Sequence, residues 1–343
     1  MKLFFRLLPL IAILVVLAVQ IVPASAQHTL KSSSLSLQFN KQNAGWKLTG
    51  LQVKKDGQWI NFAAPAAEYL VLYNEQKPDS TPVTLYKPDG SKISFPEHVY
   101  EYVKPNWENV TRPVQLNQAG TAVYFYPQTA KKQGDGSIVF NGQTTQSTIN
   151  AVWKTDARFA SDIVVNLTLT AKVDGYYSLA SPSLATIANE ELSWGVMPGY
   201  FQGSHLERDF VKAFAYGQGI PDKPVLVRER TASTLSPSIT TKNKITLAVI
   251  PEPGSDRNPW QYDSSTHADW QLGLSLMNRK SALTPTAYHP VLGEKGSYLK
   301  AGQTISFSFR YTIMPTDWYP VYKHAVQDIY KFNHFLALKK AWQ

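Results

Sequence analysis

The sequence predicts an all-β protein, a large two-sheet antiparallel sandwich that ends in one C-terminal linker helix. Three observations carry this. Apolar residues recur at every second position in about fifteen short runs, the period of strands with one buried face. Asp-Gly, Pro and Asn clusters separate those runs, as hairpin turns require. The apolar period lengthens to three and four only once, after Met314.

In chain order, residues 1–26 read as an export signal. Lys2 and Arg6 are its charged start, Leu7 to Val19 its apolar stretch, and Ala24-Ser25-Ala26 a small-x-small cleavage site before Gln27. The expectation is a secreted or periplasmic chain with no membrane attachment after cleavage. The sequence contains no cysteine. Lipid anchoring at a cleavage-site cysteine and disulfide stapling are both closed, so stability must come from core burial. Residues 27–315 are expected to form the sandwich and 316–343 the linker helix.

Leu35, Leu37 and Phe39 begin the first strand. Leu51 and Val53 lead through Lys55-Asp56-Gly57-Gln58 to Trp59, Ile60 and Phe62, a hairpin around an Asp-Gly turn. Val83 to Phe95 repeats the device around Pro88-Asp89-Gly90. Tyr69 to Tyr73 and Val123 to Tyr126 read as strands, with a long connection at 96–120 between them. Further strands are Ile138 to Phe140, Thr148 to Trp153, and the alternation from Ile163 to Val173. Asp174-Gly175 is expected to turn that last strand back on itself. Residues 181–220 break the rhythm and read as irregular. Strands resume at Val225, Ile245 and Trp270, with a loop at Pro251 to Ser265. The final strand alternates Ile305, Phe307, Phe309, Tyr311 and Ile313 against polar neighbours. Asp317 then caps a helix predicted over Trp318 to Lys340, with Tyr322, Ala325/Val326, Ile329/Tyr330 and Leu336 as its apolar stripe. Left bare, that stripe would call for a partner.

The formal charge is +9, spread without a dense Lys/Arg block. This argues against nucleic acid as a partner and is compatible with an acidic polysaccharide. With 9 Trp, 18 Tyr and 15 Phe, the chain has rings to spare for stacking on sugars.

The order of elements resembles the N-terminal β-supersandwich domain, of the galactose-mutarotase-like kind, that precedes an (α/α)6 barrel in several glycoside hydrolase families. The residues that carry the resemblance are Leu51 to Phe62, Pro290 to Ile313, and Trp318-Tyr319-Pro320-Val321-Tyr322. The resemblance implies a poly- or oligosaccharide ligand and an (α/α)6 helical domain as partner, in cis or in trans. The catalytic carboxylates of such enzymes sit on the barrel, so no catalytic residue transfers to this chain.

The residues themselves offer a binding set rather than a catalytic one. Trp194 and Tyr200, between glycines and Pro198, suggest a rigid aromatic platform, with His205, Arg208 and Asp209 near enough in sequence to bond hydroxyls. Trp260 poses the same possibility on the 251–265 loop. Glu190/Glu191 and Glu207/Asp209 are the carboxylate pairs weighed for glycoside hydrolysis. His205 beside Glu207 is the neighbourhood an epimerase would use. No His-x-His or His-Glu-x-x-His occurs, so neither a metal nor any cofactor is expected. His324 and Asp328, one helical turn apart, read as a solvated surface pair. Two function classes follow: the non-catalytic sandwich of a secreted carbohydrate-active enzyme, or a free-standing carbohydrate-binding module. A mutarotase-like epimerase is a third.

Overall fold

A computed structural model describes residues 26–78, 120–197, 200–202, 227–228, 235–254, 271–294 and 296–332, with backbone alone at 200–202 and 227–228. The hairpin expected at 83–95 and the connection at 96–119 lie outside the described residues.

The described strands form three sheets, and every strand pair among them is antiparallel. A four-stranded sheet runs in simple order through β1 (Gln27–Lys31), β2 (Leu35–Gln42), β3 (Gly45–Lys55) and β4 (Gln58–Asn61). A nine-stranded sheet takes, from edge to edge, β13 (Tyr200–Gln202), β12 (Leu192–Met197), β15 (Ser238–Thr241), β16 (Thr246–Pro251), β20 (Thr304–Met314), β10 (Asp162–Ala171), β9 (Ser147–Thr155), β8 (Ile138–Gln143) and β7 (Thr129–Lys132). A seven-stranded sheet takes β14 (Val227–Arg228), β17 (Gly273–Met277), β18 (Leu283–His289), β11 (Gly175–Thr186), β5 (Ala64–Asn74) and β6 (Thr121–Phe125), with β19 (Tyr298–Leu299) beside β11. The two large sheets are the expected sandwich, and the N-terminal strands add a small third sheet to the same core.

Alternation decides which side chains enter that core. From the nine-stranded sheet come Trp153, Val165, Leu167, Phe307, Phe309 and Tyr311; from the seven-stranded sheet Tyr69, Val71, Tyr177, Leu179 and Leu274. The four-stranded sheet adds Phe39, which packs on Phe140 and Trp153 at centroid distances of 4.9 and 5.4 Å. Hydrogen bonds also cross between the large sheets. Trp153 Nε1 donates to the Tyr69 hydroxyl at 2.8 Å, and the Tyr311 hydroxyl donates to the Pro182 carbonyl. Pro182 has no N–H for the ladder, and the β11–β5 register slips there, between Ala180 and Ser183.

The Asp56-Gly57 hairpin is as expected. Lys55 pairs with Gln58, and both turn residues have positive φ, 49° and 81°. That is the two-residue turn whose twist matches the strands it joins. A Cβ on Gly57 would meet nothing within 4 Å, so Gly57→Ala should cost only the left-handed backbone penalty, about 1–2 kcal/mol, read from the urea midpoint.

Asp174-Gly175 is not a hairpin turn. The strand before it, β10, pairs with β9 and β20, whereas β11 pairs with β5, β18 and β19. The chain therefore crosses from one large sheet to the other at this point. Periodicity cannot separate these outcomes, because a corner and a hairpin use the same residues. The stretch after 181, expected to be irregular, continues instead as strand to Thr186 and resumes at Leu192. Pro182 marks a register slip inside β11 rather than its end, and residues 203–220 of the stretch lie outside the described residues.

The C-terminal helix is shorter than predicted. Asp317 Oδ1 accepts the Trp318 N–H at 2.7 Å, confirming the cap. Helix α1 (Trp318–His324) continues as a π-helical turn, Ala325–Ile329, and Lys331 takes a φ of 59° that ends it. Residues 333–343, including Leu336, Lys339 and Lys340, lie outside the described residues. The stripe is not bare. Val321, Ala325 and Ile329 are buried against Ala248 and Ile250 on the outer face of β16, with Phe159 and Met314 alongside. The sheet itself covers this face, and the faces left to solvent carry Tyr319, 58 % exposed, and Phe332, 52 %.

Candidate functional site

The outer face of the seven-stranded sheet is where unused polar chemistry collects. Tyr69, Val71, Tyr177, Leu179 and Ala287 point into the core, so their strand neighbours point outward. One row across this face runs Tyr124, Leu70, Ala180, Tyr288 by direct pairing. Leu70, Leu72, Ala180 and Tyr288 form a buried apolar floor there, with Tyr124 and Tyr176 packed against it. Ser178 lies next to that row on β11, and Thr286 and Thr284 follow Tyr288 along β18.

Ser178, Thr284, Thr286 and Tyr288 are all buried. Thr286 donates to the Thr284 carbonyl at 3.0 Å. Among the described residues, the hydroxyls of Ser178, Thr284 and Tyr288 have no hydrogen-bond partner. A buried hydroxyl left unpaired costs about 1–3 kcal/mol, and with the Tyr124 hydroxyl four such groups gather on this face.

Charge gathers at the rim. Lys280 Nζ donates to both oxygens of Glu68, at 2.8 and 2.6 Å, and lies 4.0 Å from the Tyr124 ring centre. Arg279 Nη2 donates to the Gly120 carbonyl at 3.4 Å. Burial, with Glu68 adding and Arg279 opposing, pushes the Tyr124 phenol up to about 12. Burial also pushes the Tyr288 phenol up, against Arg279. Both phenols are therefore neutral at ordinary pH and can donate or accept a hydrogen bond, but neither serves as a base. Among the described strand residues of this face, Glu68 is the single carboxylate, and Lys280 holds it. The pair of carboxyl groups that glycoside hydrolysis needs is not assembled among them.

The structure places only part of the sequence-predicted set. Trp194 is half-buried on β12, in register with Thr240 of β15. Tyr200 opens β13 opposite Met197. The segment expected to be an irregular platform is thus a tight edge hairpin of the nine-stranded sheet, not part of the face above. His205, Arg208, Asp209 and Trp260, with Glu207, lie outside the described residues. Glu190 and Glu191 are exposed on a 3-10 turn, Asn189–Glu191.

A second polar cluster lies beneath α1, and sequence reasoning missed it. His324 is buried, not solvated. Its Nδ1 is 2.8 Å from Asp328 Oδ2 and its Nε2 3.0 Å from Asp162 Oδ2. Arg310 Nη1 donates to the same Asp162 oxygen at 2.8 Å and to Asp156 at 3.1 Å, and its Nη2 to Glu252 at 2.6 Å. Thr312 donates to the other Asp162 oxygen at 2.9 Å. Burial pulls the Arg310 guanidinium down, but its bonds to Asp162 and Glu252 outweigh this and raise it. Arg310 sits on the polar face of an alternating strand, which in sequence looks like solvent. Only the helix laid over that face makes it interior. Among the described residues no group of three or more His, Cys, Asp or Glu side chains is placed to hold a metal ion.

No protein-family model matches the chain, and no curated protein matches it. Several solved structures are similar in fold. A GalM/aldose epimerase homologue from C. elegans is 11% identical over 86% of this chain and 100% of its own, with a TM-score of 0.41. A galactose mutarotase related enzyme from Lactobacillus acidophilus is 10% identical over 85% of this chain and 98% of its own, with a TM-score of 0.36. The heparan sulfate lyase HepC of Pedobacter heparinus is 10% identical over 83% of this chain in a mutant form, with a TM-score of 0.30, and this chain spans only 36% of its length. At such identities and TM-scores the activities of those proteins remain their own.

Proposed function

We propose that the chain is a non-catalytic, glycan-binding sandwich of an exported carbohydrate-active protein. The observation that carries this reading is the set of buried hydroxyls without partners, Ser178, Thr284 and Tyr288, on the outer face of the seven-stranded sheet. A polyhydroxy ligand supplies both the donors and the acceptors such a set lacks, and the neutral phenols match an uncharged sugar better than an ion. Arg279 and Lys280 at the rim also admit acidic sugars. Export rests on residues 1–26, and the glycan on this face together with the sequence's resemblance to carbohydrate-active enzymes.

Affinity electrophoresis on neutral and acidic polysaccharides tests the proposal. The parent protein should be retarded by at least one glycan. Tyr288→Phe should weaken that retardation about fivefold, the worth of one hydrogen bond near 1 kcal/mol, with an unchanged melting temperature. Trp194→Ala serves as the comparison, because Trp194 belongs to the other sheet. A loss in Trp194→Ala alone would move binding to the β12–β13 hairpin, which carries Trp194 and Tyr200. No retardation of the parent on any glycan would remove the reading.

A second role is supported by the exposed rings of Tyr319 on α1 and Phe332 just past the helical turns. Here the sandwich braces a helical domain of the same enzyme, with α1 as the contact. The check is whether a separately produced helical domain, of the (α/α)6 kind, binds the chain and loses affinity on Tyr319→Ala.

A further inference from the structure

We infer that α1 is a pH-operated latch: a cationic His324 clamps the helix to the outer face of the nine-stranded sheet, and loss of that charge lets the helix go. The geometry demands the cation. A neutral imidazole carries one N–H and one lone pair. Both ring nitrogens of His324 lie within hydrogen-bond distance of a carboxylate oxygen, Asp328 on one side and Asp162 on the other. Either neutral tautomer would set a lone pair against one of those oxygens. Only the imidazolium donates to both.

The surrounding charge points the same way. From the β9–β10 connection come Asp156 and, at the rim, Arg158; from β10 comes Asp162; from the end of β16, Glu252; from β20, Arg310; from the helix itself, Asp328. The carboxylates outnumber the arginines, so an extra proton on His324 lowers the net negative charge under the helix. The Phe159 ring meets the imidazole in a T-shaped contact at 4.7 Å, with the Arg158 guanidinium 5.2 Å from the Phe159 ring centre, and limits the water that could replace a lost bond.

Burial pulls the His324 imidazole down, but the bonds and charges of Asp162 and Asp328 outweigh it and raise it above the usual 6.5. A raised histidine stabilises fully below its unfolded value and loses that contribution as pH rises through its folded value. The latch is therefore closed in mild acid and opens toward alkaline pH. The hinge is Pro315 to Asp317, because β20, which ends at Met314, stays paired in the sheet.

Hydrogen exchange on the full chain, corrected for intrinsic rate, tests this. Protection of 318–329 should fall about tenfold or more between pH ~6 and pH ~9, while protection of β10 and β20 stays level. His324→Gln should remove the step and leave the helix poorly protected at both ends of the range. Asp328→Asn, which removes one carboxylate charge facing His324, should move the step to lower pH. Should the variants fail to fold, ring-nitrogen NMR of the parent still decides: both His324 nitrogens are expected to be protonated at pH ~6. A neutral His324 at that pH, or protection of the helix that does not change with pH, would overturn the latch.

Discussion

Replacing Arg310 with methionine should destabilise the protein by about 3–5 kcal/mol, measured as a fall in the urea midpoint at neutral pH. The cost does not come from the bonds themselves. An ion pair swapped whole for apolar side chains can be nearly neutral in energy. It comes from what is left behind. Asp162 is fully buried and Asp156 nearly so, and both direct an oxygen at Arg310 Nη1. Without the guanidinium, Asp162 keeps only Thr312, Ser161 and His324 as donors. Asp156 shows how far the cation matters. Burial raises its carboxyl, yet the bonds from Arg158 and Arg310 hold it below the ordinary range. Arg310→Lys should recover only part of the loss, since one ammonium cannot reach Asp156, Asp162 and Glu252 with the planar spacing of the fork. Because β20 lies between β10 and β16, the defect should reach both neighbours, and the transition should stay cooperative rather than shed the helix alone.

The body of the fold was legible because strands announce themselves by period. Leu35 to Phe39, Ile163 to Ala171 and Ile305 to Ile313 all alternate, and all became strands with the apolar set inward. What period two cannot carry is pairing. The corner at Gly175 looked like a hairpin because a change of sheet leaves no local mark. The helix boundary failed for a related reason. Lys331 adopts a left-handed φ that no residue type at that position advertises, and the apolar residues that follow extended the helical pattern in sequence. The polar sites were the least legible. Ser178 and the pair Thr284 and Tyr288 come from strands more than a hundred residues apart in sequence, and nothing local groups them. His324 and Asp328 were visible as a pair, but their interior setting depends on Asp162 and Arg310, which only the folded sheet brings beneath them.

The second large effect should come from Trp153. Its side chain is fully buried where the three sheets meet, stacked on Tyr311 at 5.5 Å and edge-on to Phe39. Its indole N–H donates to the Tyr69 hydroxyl across the sandwich. Trp153→Ala opens a cavity that strands on all sides hold apart, so little of it can collapse, and a loss of about 3–5 kcal/mol is expected. Trp153→Phe separates the two contributions. It keeps most of the volume but removes the donor, leaving the Tyr69 oxygen in an apolar interior at a cost of about 1–3 kcal/mol. Tyr69→Phe in the Trp153→Phe background should then restore part of that loss, because the orphaned hydroxyl leaves with it. Denaturant titrations of the three variants test this, and a double variant no more stable than Trp153→Phe would show that the bond across the sheets contributes nothing beyond packing. Since β9 and β5 belong to opposite sheets, recovery in the double variant would also identify this contact as a fastener that keeps the seven-stranded sheet in register over the nine-stranded one. The hydroxyl-lined outer face depends on that register, because Tyr69 and Leu70 are adjacent and face opposite ways.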